Sequence, residues 1–148
     1  MGRVAKTAFE EGASGVVLLG SDHPNLPASM MERCLDALGR DRAAWIRTED
    51  GGYAALALPK EIPDLFIDIP WSTSAVAAAT LERAGALGIE IEHAGTWYDV
   101  DRPEDLLRLE RDLQNDPSCP RTRALFLEWN SRKEGIFPPG TEAERRHS

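Results

Sequence analysis

Four apolar residues in a row, Val16, Val17, Leu18 and Leu19, stand between Gly15 and the break Gly20-Ser21-Asp22-His23-Pro24. A short apolar run bounded by glycines reads as a strand buried on both faces, which requires a sheet covered by helices. In such α/β sheets ligands bind beyond the carboxyl ends of the strands. Asp22 lies at that point. A carboxylate there can hold a divalent cation and, through it, a phosphate. The competing reading of Asp22 is a loop aspartate that turns the chain before Pro24. His23 reads first as a loop side chain.

The flanking pattern supports an α/β chain. Val4, Ala8 and Phe9 give residues 4–13 one apolar side. Pro27 suits the first turn of a helix that carries Met30, Met31, Cys34, Leu35 and Leu38 at spacings of three and four, with Gly39 as its stop. Residues 43–48 and 53–58 read as a hairpin about Glu49-Asp50-Gly51-Gly52. Pro59 to Pro70 is a loop with a short turn at Asp64 to Phe66. Ser72 or Thr73 caps a helix through Val76, Ala77, Thr80, Leu81, Ala84 and Leu87, closed by Gly88. Ile89 to His93 alternates as a strand does, and Trp97 to Val100 is read as another. Asp101 and Glu104 have the spacing of an N-cap and its acidic partner, ahead of a helix with Leu106, Leu109 and Leu113. Residues 115–130 read as a linker and an appended helix, and 131–148 as a disordered tail.

At 148 residues the chain suffices for one domain with its own core. A net charge of -8 and a pI of about 4.9 argue against nucleic acid as a partner, which calls for a basic face. A nucleotide remains compatible, because a bound cation reverses the local field. No apolar stretch has the length of a membrane span. Cys34 and Cys119 form no disulfide framework, Cys34 reads as a buried thiol, and a reducing cytoplasm is the expected compartment.

Three further segments invite a functional reading. In Glu49-Asp50-Gly51-Gly52-Tyr53 the paired glycines let a substrate approach the backbone, while Glu49 or Asp50 can contact sugar hydroxyls or act as a base. A plain hairpin turn is the alternative. Trp71-Ser72-Thr73 opens a helix, whose free N–H groups favour an anion and whose tryptophan can stack on a ring. The alternative is a buried tryptophan before a routine cap. Asp99 and Asp101 fall on the same side of an extended segment. A second carboxylate converging on Asp22 would complete a cation clamp, but spacing alone does not fix which one converges.

Taken in order, Gly20-Ser21-Asp22-x-Pro24, Glu49-Asp50-Gly51-Gly52-Tyr53, Pro70-Trp71-Ser72-Thr73 and Asp99-Val100-Asp101-x-Pro103-Glu104-Asp105-Leu106 resemble the DUF2064 group, also called selenodomain-associated transferase 1, of glycosyltransferase-A-like proteins. The resemblance spans roughly Ala8 to Leu109. It implies a three-layer α/β/α nucleotide-diphospho-sugar transferase fold, of which residues 1–114 would be the C-terminal part. It also implies Mg2+ or Mn2+ as cofactor, a nucleotide sugar or nucleoside triphosphate as ligand, and a small-molecule acceptor of unknown identity. By this similarity Asp22 and Asp101 are the metal ligands, with Asp99 in reserve for Asp101. Glu49 and Asp50 are the catalytic candidates. Gly51, Gly52, Tyr53, Trp71, Ser72 and Thr73 line the substrate side.

Two departures stand out. Pro27 replaces a usual threonine. The strands and basic loop expected ahead of Val16 are absent, and Gly2-Arg3 resembles the remnant of a Gly-x-Arg segment found just before this point. The resemblance therefore implies a metal-dependent glycosyl transferase, with nucleotidyl transfer as the alternative, or a truncated, non-catalytic binding module or half of a split protein. Arg47 is the one basic residue close to the Glu49–Tyr53 loop, which favours glycosyl over phosphate acceptors. In the implied fold Val16–Leu19 has a further strand neighbour. Without it the strand is an open edge, and self-association or a partner chain along that edge is expected.

Overall fold

The computed structural model describes residues 1–132. The elements in chain order are α1 (Gly2–Glu10), β1 (Val16–Leu19), α2 (Ala28–Gly39), β2 (Ala43–Thr48), β3 (Tyr53–Leu58), a 3-10 turn (Pro63–Phe66), α3 (Val76–Ala86), β4 (Ile91–Trp97), α4 (Pro103–Asn115) and α5 (Pro120–Arg132). Four strands form one mixed sheet in the order β1-β3-β2-β4. β3 runs antiparallel to both β1 and β2, and β2 runs parallel to β4. The carboxyl ends of β1, β2 and β4 therefore lie at one end of the sheet, which fixes where a site can form.

Alternation along the strands divides the core into two layers. Ala43 and Trp45 of β2, with Leu56 and Leu58 of β3, join Ala5, Leu65, Val76, Ala77 and Ala84 beneath α1, the 3-10 turn and α3. Ala44 and Ile46, with Ala54, Ala55 and Ala57, meet Cys34 and Ala37 of α2 on the other face. That second layer is built largely from alanine. Small side chains on both sides let α2 lie close to the sheet, and Cys34 and Ala37 are completely buried there. Burial pushes the Cys34 thiol above its ordinary pKa, as expected of a packed and unreactive sulfur. Helices on both faces give the expected three-layer α/β arrangement.

Most element positions agree with the sequence pattern, and the hairpin strands 43–48 and 53–58 match it residue for residue. Five details differ. β1 is not buried on both faces: Leu18 is buried, Val16 and Val17 are partly buried and Leu19 is exposed, because β1 is an edge strand. The first helix occupies 2–10, not 4–13. The two short strands expected at 89–93 and 97–100 are one strand, β4, with a register shift where Trp45 and Ile46 pair with His93 and Gly95. Neither Ser72 nor Thr73 caps α3, which starts after Ala75; the Thr73 hydroxyl instead donates to Pro70 O (2.7 Å) and accepts from Ala75 N–H (3.2 Å). At α4 the capping carboxylate is Asp105, which accepts from the N–H groups of Asp101 (3.1 Å) and Arg102 (2.8 Å), in place of an Asp101–Glu104 pair.

Residues 116–119 join α4 to α5, with the Asp116 carboxylate held by the Ser118 N–H and hydroxyl. Ser131 and Arg132, assigned by sequence to the tail, end α5, and the rest of that tail lies outside the described residues. Among the described residues no helix is long and apolar enough to cross a membrane.

Candidate functional site

β1, β2 and β4 deliver Asp22, Asp50 and Asp99 to the same end of the sheet. A cleft of about 600 Å3 opens there, lined by Gly20, Asp22, His23, Thr48, Asp50, Gly52, Tyr53, Trp71–Ser74, Val76, Asp99 and Asp101 together with Met1. Among the described residues the lining carries four aspartates and neither lysine nor arginine. Its carboxylates and hydroxyls share the lining with the apolar faces of Met1, Tyr53, Trp71 and Val76, a combination suited to a cation and to a sugar or base ring.

Three side chains converge at its base. The donor atoms of Asp22, His23 and Asp99 all lie within 4.8 Å of one another. His23 Nε2 is 3.2 Å from Asp22 Oδ1 and 3.6 Å from Asp99 Oδ1. Donors on neighbouring vertices of an octahedral ion with bonds of about 2.1 Å stand about 3 Å apart, so these separations fit one divalent cation. Asp101 lines the same cleft but is not in the converging group. Gly20 leaves the room this requires. A Cβ at that position would stand 2.8 Å from His23 Nε2 and 2.9 Å from Asp22 Oδ1.

The convergence is held by the backbone and by a buried polar network. Val100 N–H donates to Asp22 O (3.0 Å), clamping the segment after β4 to the loop after β1. His23 Nδ1 lies 3.1 Å from Tyr98 O. Behind it, the Asn25 amide donates to the Tyr98 hydroxyl (2.7 Å) and accepts from Trp97 Nε1 (3.3 Å), and the Tyr98 hydroxyl donates to Asp112 of α4 (2.7 Å). Arg108 lies over the Tyr98 ring, 3.8 Å from its centroid. Burial, followed by the Asp112 hydrogen bond, raises the Tyr98 phenol far above its ordinary pKa, so it stays a neutral donor. Asp99 is pushed up to about 6, first by burial and then by Asp50, with Asp22 and Asp101 adding to the rise and His23 opposing it. Several carboxylates crowded together without a countercharge produce such a shift, and a bound cation would reverse it.

The Glu49–Tyr53 loop is divided in its roles. Glu49 does not line the cleft. Both its oxygens accept from Arg108 (2.7 and 2.8 Å), which holds its carboxyl below the usual range. Asp50 does line the cleft, but the Thr48 hydroxyl and Gly52 N–H (3.0 Å) grip its Oδ1 and lower its pKa. A lowered carboxylate is a weaker base, so the arrangement suits orienting a hydroxyl better than removing its proton. Gly51 faces protein, not ligand. Its φ is +96°, its carbonyl accepts from Ala77 N–H (2.8 Å), and a Cβ would stand 2.1 Å from Ser74 O. Gly52 and Tyr53 reach the cleft, Tyr53 largely buried with its phenol pushed up to about 12 by desolvation.

On the opposite wall Trp71 is 43% exposed, resting on Phe66 (centroids 6.4 Å apart, 23° between planes), so it is available to a ring and is not the buried tryptophan of the alternative reading. Ser72 has φ +62°. The free N–H groups expected at the start of α3 are largely taken: Ala75, Val76 and Ala77 donate to Thr73 Oγ1, Thr73 O and Gly51 O. Sequence reasoning missed Asn25, Tyr98 and Arg108 and read His23 as a loop side chain, because the contacts that tie them into the site, His23–Tyr98, Asn25–Tyr98 and Arg108–Glu49, join residues 59 to 75 positions apart.

The mixed four-stranded sheet with helices on both faces is the fold of a nucleotide-diphospho-sugar transferase-like neighbour. Residues 1–73 match the family model described as "Uncharacterized protein conserved in bacteria (DUF2064)", so that stretch is similar to the DUF2064 family. A crystal structure of a "putative nucleotide-diphospho-sugar transferase" from Desulfovibrio desulfuricans G20 is similar, with a TM-score of 0.78 and 32% identity. The match covers 88% of this chain and 58% of that one, so this chain spans a little over half of its neighbour's length. No curated protein matches the sequence.

Proposed function

We propose that this chain carries the cation-binding and sugar-facing part of a nucleotide-diphospho-sugar-dependent transferase, with Asp22 and Asp99 as the carboxylates that hold Mg2+ or Mn2+. The observation that carries this reading is the convergence of the Asp22, His23 and Asp99 donor atoms within 4.8 Å in a cleft whose described lining includes no lysine or arginine. A pyrophosphate entering that cleft meets four carboxylates, so electrostatics favours its binding only with a cation between them. When bound, the cation would neutralise the diphosphate and stabilise it as a leaving group.

The chain's own residues do the rest. Asp50, fixed by Thr48 and Gly52, orients a sugar or acceptor hydroxyl. Trp71 offers a face for a ring, and Ser72 and Thr73 line the same wall. Glu49, gripped by Arg108, braces the loop and is set aside as the base. Among the described residues no lysine or arginine lines the cleft, and Arg108, which sequence spacing did not place beside the Glu49–Tyr53 loop, is engaged by Glu49; both favour a hydroxyl acceptor over the phosphate acceptor that nucleotidyl transfer would need.

The assignment of ligands is tested by calorimetric titration with Mn2+. Asp22→Asn and Asp99→Asn are expected to abolish binding, and Asp101→Asn to leave it within a few-fold of the parent. Retained binding in Asp99→Asn with loss in Asp101→Asn would exchange the roles of these two residues. Retained binding in Asp22→Asn would remove the site altogether.

A further inference from the structure

We infer that His23 is a third ligand, coordinating through Nε2, and that the resulting Asp-His-Asp set selects a first-row transition ion such as Mn2+ over Mg2+. This rests on the reading that Asp22 and Asp99 hold a cation, and goes beyond it by naming a nitrogen donor and its consequence for metal choice.

The ring is fixed and aimed. The His23 side chain is 3% exposed, so its orientation is set by packing, unlike the half-exposed Asp22 (45%). A carbonyl oxygen can only accept a hydrogen bond, so the contact of 3.1 Å to Tyr98 O places a proton on Nδ1. In the neutral ring Nε2 then carries the lone pair, and Nε2 is the atom that faces both carboxylates. A ligating histidine ordinarily donates its other N–H to a carbonyl or carboxylate, which fixes tautomer and ring plane. Tyr98 supplies that contact. The Asn25–Tyr98–Asp112 hydrogen bonds hold Tyr98 in place in turn. The absent side chain of Gly20 is a second, independent sign, because the space it leaves lies directly against His23 Nε2 and Asp22 Oδ1.

The chemistry follows from the donors. Mg2+ takes oxygen ligands and gives up water reluctantly, whereas imidazole suits the first-row transition ions. Two carboxylates alone would bind either ion. Adding an imidazole shifts the preference towards Mn2+ and its heavier neighbours.

The test uses the full chain with the metal alone. Pulsed electron paramagnetic resonance on the Mn2+-loaded protein is expected to show modulation from a directly bound 14N nucleus. His23→Asn should remove it, since asparagine can keep a hydrogen bond to Tyr98 O at the Nδ1 position but has nothing at Nε2. Competition titrations should show the parent's preference for Mn2+ over Mg2+ falling about tenfold or more in His23→Asn. Mn2+ bound through Asp22 and Asp99 without nitrogen modulation would overturn the inference and leave the two-carboxylate site standing, with His23 then only an ion-pair partner of Asp22. Nitrogen modulation that survives His23→Asn would also overturn it, by assigning the signal to another histidine. Failure of the parent to bind Mn2+ would overturn both readings. The measurement on the parent protein decides ligation even if the variant does not fold.

Discussion

Gly51 shows how one residue joins the site to the core. Its φ of +96° and the closeness of Ser74 O place the Glu49–Tyr53 loop against the start of α3, so that the two cleft walls have a fixed separation. Alanine there would meet both backbone strain and a backbone oxygen that has little room to move. Gly51→Ala is expected to lower stability by about 3 kcal/mol or more. Gly85, in α3 with open space where a Cβ would go, is the matched control: Gly85→Ala is expected to stabilise by about 0.5–1 kcal/mol. Urea denaturation followed by circular dichroism measures both. Equal effects would mean that the contact between loop and helix is unimportant. At this scale the sequence was informative about residue type and silent about partner. Asp22 is legible because it follows an apolar run. That Asp99 and not Asp101 meets it depends on the Val100–Asp22 backbone bond, which no spacing rule encodes, and Glu49 could not be recognised as a brace because Arg108 lies 59 residues further on.

At the level of elements, the hairpin of β2 and β3 was fully legible, since its strands are bounded by a turn whose glycines have a conformational purpose. β1 was legible as a strand but not in its burial. An apolar run specifies a strand with two covered faces only if neighbours exist on both sides, and β1 lies at the sheet's edge, paired with β3 through Val16–Leu58 to Leu19–Ala55. Its other edge offers backbone donors and acceptors beside the exposed Leu19. We expect this 148-residue chain to self-associate as its concentration rises, in sedimentation velocity, and Leu19→Lys to reduce that association with little change in thermal stability. A parent chain that sediments as a concentration-independent monomer would contradict the expectation. β4 illustrates a different limit: the alternation at 89–93 and the aromatic segment at 97–100 looked like two strands because the bulge at Ala94, beside Gly95 with its φ of +153°, interrupts the period.

For the whole molecule, charge is the organising quantity. The chain carries a formal -8, and four of its carboxylates line one cleft in which the described residues include no lysine or arginine. Such a cleft disfavours a nucleotide diphosphate unless a cation is present, and the rise of Asp99 to about 6, caused first by its burial, is increased by the neighbouring carboxylates. Nucleotide-sugar binding is therefore expected to be conditional on metal. Titration of the full chain with a panel of nucleoside diphosphate sugars, once with Mn2+ and once with a chelator, tests this directly. The predicted result is saturable heat for at least one donor with Mn2+, none with chelator, and none for Asp22→Asn under either condition. Binding of equal strength in the presence of chelator, or no binding to any donor with Mn2+, would contradict it.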